Sequence, residues 1–330
     1  MARIVSLGSA LQDIYLIDHD DLTATDVNGS AVFGKVLVGS KVEIDKMSFE
    51  TGGGGLNSAV TFARNGHEAI LMGNLAHDAA GEAILRVLDR EGIDSSFVHF
   101  VSRGSTGTSV VLLDSKSGER TVMTCRGVST RFGNLPEADL ELAQPDWIYV
   151  TSLGGDLETL ERFLKKAREM GVGVMLNPGM AEIRQKKKLL ELMPMTDVLL
   201  VNKTEAAELV PGVLLTELIY RLGNYVETVI ITDGGMGGIA VNRSVVRNGD
   251  AAEMEIYRFG IYEDRKVKDA TGAGDAFGSG FLSKWADGYA FREALMFASA
   301  NSTAVVSEVG ANRGALEEGA RLHPMPIQKL

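Results

Sequence analysis

Short, almost wholly apolar runs alternate along this chain with segments whose apolar residues recur at helical spacing. RIVSLG, EAILMG, WIYV, VGVMLN, DVLLVN and ETVIIT read as strands, while LNSAVTFARNG, AGEAILRVLDREG, DLETLERFLKKAREMG and TEAAELV read as helices. A strand that is apolar on both faces has to be covered on both. The pattern therefore predicts an α/β fold with a doubly wound, mostly parallel sheet and helices on either side. With 330 residues, 45% of them hydrophobic, the chain can bury such a sheet within one domain spanning 1–330. Two regions break the alternation. Residues 31–50 and 97–124 show period-two patterning with Gly and Ser-Gly turns and no helix between their strands, which predicts antiparallel hairpins. The two are expected to pair into a small β lid, drawn approximately from 13–50 and 97–124.

Charge and composition restrict the partners. There are 33 Lys+Arg against 44 Asp+Glu, a formal net charge of -11, the wrong sign for tracking nucleic acid or an anionic membrane. A bound anion must be held by a local device. Cys125 is the only cysteine, so an internal disulfide and a cysteine zinc cluster are both excluded, as suits a reducing cytoplasm. The opening MARIVSLGSALQDIYLIDHD reads as a short strand and turn, its apolar residues broken by Ser6, Gln12 and Asp13, and not as a signal peptide. No run approaches the roughly 18 apolar residues of a membrane span.

One stretch supplies the local device. In DATGAGDAFGSGF, residues 269–281, Phe277, Phe281, Leu282 and Trp285 fall at helical spacing, which puts Gly272, Ala273 and Gly274 in the first turn of a helix entered from a polar strand. The amides there have no intrahelical acceptors, and the helix dipole favours an anion beside them. Small residues leave that anion room. Asp275 lies in the same turn, next to whatever the amides hold. Its carboxylate makes chemical sense as the base that takes a proton from a hydroxyl attacking that anion.

DATGAGDAF resembles the C-terminal signature of the ribokinase-like (PfkB) carbohydrate kinases, with Ala270 in place of the usual threonine, and TGGGGLNSAVTFARNG at 51–66 is similar to the N-terminal one. GSALQD, NKTEAAEL, ITDGGMGG and the last helix running into VGA extend the resemblance over nearly the whole chain. It implies ATP-dependent phosphorylation of a hydroxymethyl group on a sugar, with Asp275 as base and Gly272, Ala273 and Gly274 forming the anion hole. Asp13, Gly53, Gly54 and Asn57 would grip the sugar, since glycine lets backbone approach a polyol and Asn57 offers both donor and acceptor. Arg126, after the second hairpin, could approach an acidic or phosphorylated sugar, or sit solvated on the lid.

For the nucleotide the resemblance points to Asn202, Glu205, Thr232, Gly234 and Gly237, and Asn301 with Ala298 and Val305, at helical spacing on an apolar helix, would either wall the adenine or belong to the core. Magnesium is implied at Glu205 through water, and potassium at Asp269 with the loop before Gly310. Alternatives are a nucleoside kinase on the same fold, for which Phe33, Phe100 and Met123 are available as a base platform, and a non-catalytic sugar-binding regulator. A homodimer through the lids is expected, with Val36, Val38, Val42, Ile44, Val110 and Leu112 needing cover. Neither a G-x-x-x-x-G-K-[ST] loop nor a G-x-G-x-x-G after the first strand competes for the phosphates.

Overall fold

The protein is described by a computed structural model over residues 1–17, 25–26, 32–33, 41, 44, 46–113, 120–245, 253–263 and 265–330. In chain order it begins with β1 (Arg3–Leu7), β2 (Leu11–Ile17), β3 (Thr25–Asp26), β4 (Val32–Phe33) and β5 (Lys46–Gly52). Helix α1 (Gly54–Arg64), β6 (Glu68–Leu75), α2 (Ala79–Glu91), β7 (Val98–Phe100), β8 (Gly107–Leu113), β9 (Arg120–Cys125) and α3 (Ala138–Ala143) follow. Then come β10 (Trp147–Val150), α4 (Leu157–Met170), β11 (Gly173–Leu176), α5 (Met180–Ile183), α6 (Lys186–Leu192), β12 (Val198–Asn202), α7 (Lys203–Leu209), α8 (Leu215–Leu222) and β13 (Thr228–Thr232). The chain closes with β14 (Gly238–Val245), β15 (Glu253–Phe259), α9 (Ala273–Ala286), α10 (Phe291–Val306) and β16 (Ile327–Lys329).

Local chemistry sets the helix ends. Asp78 and Asp156 cap α2 and α4 by accepting from Gly81 N and Thr159 N, and both helices stop at a left-handed glycine, Gly92 and Gly171.

The main sheet has the order β16-β15-β14-β13-β12-β11-β10-β1-β6-β7. From β13 to β7 every pair is parallel, and β14 to β16 add an antiparallel edge. Alternate residues feed two cores. Val5, Leu7, Ile148 and Val150 pack with Leu160, Phe163 and Leu218 on one face, while Ile4, Tyr149 and Leu200 pack with Leu56, Val60, Phe281 and Leu295 on the other. This is the doubly wound sheet that the apolar strands predict. The chain leaves β1 toward β6 on one side and returns at β10 on the other. The switch opens a crevice beyond the carboxyl ends of β1 and β10, where open α/β sheets bind ligands.

The lid is a second sheet of order β5-β2-β8-β9. It differs from a pair of hairpins in two respects. Its central pair, β2 with β8, is parallel, and the flanking pairs are antiparallel. Residues 98–100, expected in the second hairpin, instead extend the main sheet as β7 beside β6. Asp13, Tyr15 and Ile17 face inward and are buried, whereas Phe49 and Met123, on the opposite face, are 57% and 53% exposed. The expected polar strand leading into α9 is absent too: among the described residues the segment from 260 to 272 forms none.

Candidate active site

Helix α9 begins as the glycines demand. Its N-cap, Gly272, has φ 77°, a left-handed conformation that glycine adopts without steric penalty, and a Cβ there would lie 2.4 Å from the Ala311 carbonyl oxygen. Gly274 is different, because a Cβ on it would meet nothing within 4 Å. Gly272 thus sets the backbone and Gly274 leaves an opening. Of the expected anion-hole amides, that of Ala273 donates to Ala270 O at 3.4 Å, whereas among the described residues the amides of Gly274 and, one position on, Asp275 have no acceptor, the state expected of a first helical turn.

Asp275 projects from that turn and accepts a hydrogen bond from Asn57 Nδ2 at 2.9 Å. Asn312 Nδ2 in turn donates to Asn57 Oδ1 at 3.1 Å and to the Thr51 carbonyl at 2.9 Å, which fixes the orientation of the Asn57 amide. Burial pushes the Asp275 carboxyl above its ordinary range, and the Asn57 bond only partly opposes this. A carboxylate so placed is a stronger base than one in water.

Asp275 and Gly274 line a cavity of about 260 Å³. Its other walls are strand ends: Ser9 after β1, Thr151 and Ser152 after β10, Asn177 and Gly179 after β11, Asn202 with Glu205 at the start of α7, and Thr232 at the end of β13. The buried carboxylate of Glu182 ties two of these loops together, accepting from Ser152 Oγ, Leu153 N, Gly155 N and Gly179 N. Ser9 belongs to the GSALQD stretch, whereas Thr151, Ser152, Asn177, Gly179, Asn312 and Glu182 carry no motif of their own. Only their position just beyond apolar strands could have indicated most of them.

The glycines at 52–55 pack chiefly against protein. A Cβ on Gly53 would lie 2.5 Å from Ser9 O, one on Gly54 2.8 Å from Thr151, and one on Gly55 2.7 Å from Gly8. They let the start of α1 sit against the loop after β1, and Gly54 also lines the cavity. Asp13 lies on β2 in the lid, 4% exposed, across from Glu50 and Ser109. Burial raises its carboxyl to about 6; the Ser109 hydroxyl opposes the rise, and repulsion from Asp269 and Glu50 adds to it.

Asn202 and Glu205 form a reciprocal capping box, Asn202 Oδ1 accepting from Glu205 N at 2.9 Å and Glu205 Oε2 from Asn202 N at 2.8 Å. The pair is both helix start and cavity wall, and burial raises the Glu205 carboxyl. Gly234 faces open space, but a Cβ on Gly237 would lie 2.0 Å from Phe259 O, so that glycine serves the packing of β15.

Three expected residues stand elsewhere. Asn301 is fully buried; it donates to Ala276 O at 2.7 Å and accepts from Leu316 N at 2.8 Å, so it braces α10 against α9 as a core residue. The Arg126 side chain is exposed, with no ion pair among the described residues. Asp269 does not fit a potassium ion: Oδ1 accepts from Thr271 N and Oγ1, and Oδ2 from the Tyr15 hydroxyl and Gly310 N.

The family model for pfkB family carbohydrate kinases matches residues 1–318. A ribokinase from Haemophilus influenzae is 27% identical over 289 residues, 84% of this chain and 86% of the relative. One from Bacillus subtilis is 28% identical over 272 residues, 81% and 85% of the two. Among solved structures, Arabidopsis thaliana ribokinase complexed with ribose and ATP matches 96% of both chains with a TM-score of 0.75 at 22% identity. Burkholderia thailandensis nucleoside kinase in complex with inosine matches 94% of both with a TM-score of 0.74 at 18% identity. The chain belongs to the pfkB family of carbohydrate kinases, phosphotransferases that act on a sugar or nucleoside hydroxyl.

Proposed function

We propose that this kinase moves the γ-phosphoryl group of ATP to a hydroxymethyl group of a sugar, with Asp275 as the base. The observation that carries this reading is the convergence of the Asp275 carboxyl and acceptor-free α9 amides on one cavity. Phosphoryl transfer through a loose transition state needs positioning and charge stabilisation more than covalent help. Asn57 orients the Asp275 carboxylate, which takes the hydroxyl proton as the oxygen attacks. The amides of Gly274 and Asp275 hold the charge that spreads over the moving phosphoryl oxygens. Asp13, inward on β2, accepts hydrogen bonds from sugar hydroxyls.

Glu205 and Asn202 offer hard oxygen donors at the cavity wall, a set that suits magnesium bound largely through water. A magnesium ion there would neutralise charge on the triphosphate. Asp275 with its complete Gly-Ala-Gly turn argues against a non-catalytic regulator.

A sugar is favoured over a nucleoside by the surroundings of the base-platform candidates. Met123 lies on the outer lid face, opposite Asp13, and Phe100 stacks on His77 with ring centroids 4.3 Å apart, outside the cavity wall; the Phe33 side chain is outside the described residues. Incubation of the protein with ATP and a panel of sugars and nucleosides, read by ADP release, tests the assignment. A pentose or hexose should give the highest kcat/KM, and a preference for nucleosides would overturn it.

The outer lid face presents Ile14, Leu16, Met47, Phe49, Val110, Leu112 and Met123, all alternating with the inward Asp13 and Tyr15. A second copy of the chain would cover it, giving the homodimer; Val36, Val38 and Val42 lie outside the described residues, and Ile44 is exposed.

A further inference from the structure

The loop before α9 and the loop after α10 together shape the anion hole, since Gly272 sits directly on Ala311. Asp269 cross-braces them. Its backbone N–H donates to Val306 O at 3.2 Å, its Oδ1 accepts from Thr271 N at 2.9 Å and Thr271 Oγ1 at 2.6 Å, and its Oδ2 accepts from Gly310 N at 3.2 Å. A further contact comes from the other sheet: Tyr15, fully buried on the inner lid face, donates its hydroxyl to Oδ2 at 2.7 Å. A monovalent cation needs oxygen lone pairs turned toward it. Here each carboxylate oxygen faces two N–H or O–H donors, whose positive ends occupy the directions a cation would use. The phenol is thus a neutral donor standing where an ion would otherwise balance a buried charge.

We propose that Tyr15 is a positioning residue for phosphoryl transfer, its hydroxyl holding Asp269 and with it the two anion-hole loops, so that this kinase needs no monovalent cation. The inference rests on the kinase reading above. It also links the lid to the anion hole, because β2 carries Asp13 on the same inward face as Tyr15.

The test compares wild type with Tyr15→Phe, which keeps the buried ring, in potassium chloride and in choline chloride at equal ionic strength, by steady-state kinetics and by thermal unfolding. Wild type should show the same kcat and the same unfolding midpoint in both salts. Tyr15→Phe should lose roughly 10- to 100-fold in kcat with little change in sugar KM, as expected when catalytic groups are slightly displaced. Potassium, finding the vacated side of Asp269, should then raise both its midpoint and its kcat. A wild-type rate or midpoint higher in potassium than in choline overturns the proposal, as does a Tyr15→Phe enzyme with undiminished kcat. If the wild type phosphorylates no sugar, the kinase reading fails on its own, and the midpoints still decide whether Tyr15 stands in for the ion.

Discussion

Replacing Asp13 with Asn should make the protein more stable and a poorer binder of its substrate. Asp13 is 4% exposed, and its carboxyl is raised from 3.8 to about 6, chiefly by burial and further by repulsion from Asp269 and Glu50. Each pKa step is about 1.4 kcal/mol, so ionised Asp13 costs the folded state about 3 kcal/mol relative to the unfolded chain. Little of that is lost to solvent screening at such burial. Between pH 3.8 and about 6 the folded protein retains the proton that the unfolded chain has released, so stability falls as pH rises through this window. Below the window both states are protonated and the penalty vanishes; above it the penalty is complete. Asp13→Asn should therefore exceed wild type at neutral pH by up to about 3 kcal/mol in urea unfolding, with the difference shrinking on acidification. Calorimetry should show sugar binding weakened by about 1–3 kcal/mol and ATP binding nearly intact. A variant less stable than wild type at neutral pH, or a difference indifferent to pH, would refute the electrostatic reasoning.

The two glycines of the α9 turn should respond oppositely. Gly272→Ala meets both φ 77° and the Ala311 carbonyl, and should destabilise by about 1–3 kcal/mol; Gly274→Ala, with open space around it, should leave unfolding within about 0.5 kcal/mol of wild type but raise the KM for ATP. Equal losses of stability would show that their roles have been misjudged. For the lid, light scattering should give a dimer mass for wild type and a monomer mass for Phe49→Lys combined with Met123→Lys. A monomeric wild type, or a dimer surviving both changes, rules out this interface.

What the sequence reveals depends on whether backbone or topology sets the role. The main sheet is readable because β1, β10, β12 and β13 are apolar on both faces, and the α9 turn because its left-handed N-cap requires glycine and a second glycine, Gly274, leaves space open beside it. Strand β2 is hidden because Gln12 and Asp13 interrupt its apolar run, although the carboxylate is itself part of the buried face. Period-two alternation identifies strands without naming their partners, so neither the parallel β2–β8 pair nor the capture of β7 by the main sheet was foreseeable. Asn301 illustrates the converse: helical spacing gives its face of α10, but what lies opposite is set by the tertiary fold, and there it meets Ala276 and Leu316. Thr151, Ser152 and Asn177 are ordinary residues placed at the cavity only by where their strands end.

The central claim is that Asp275 removes the proton from the attacking hydroxyl, and Asp275→Asn tests it most directly. The variant keeps the shape of the side chain and the α9 amides, so single-turnover phosphorylation of the preferred sugar should slow by roughly 10²- to 10⁴-fold, while ATP affinity measured by calorimetry stays close to wild type. Near-normal turnover in Asp275→Asn would remove this residue from the role of base and contradict the account.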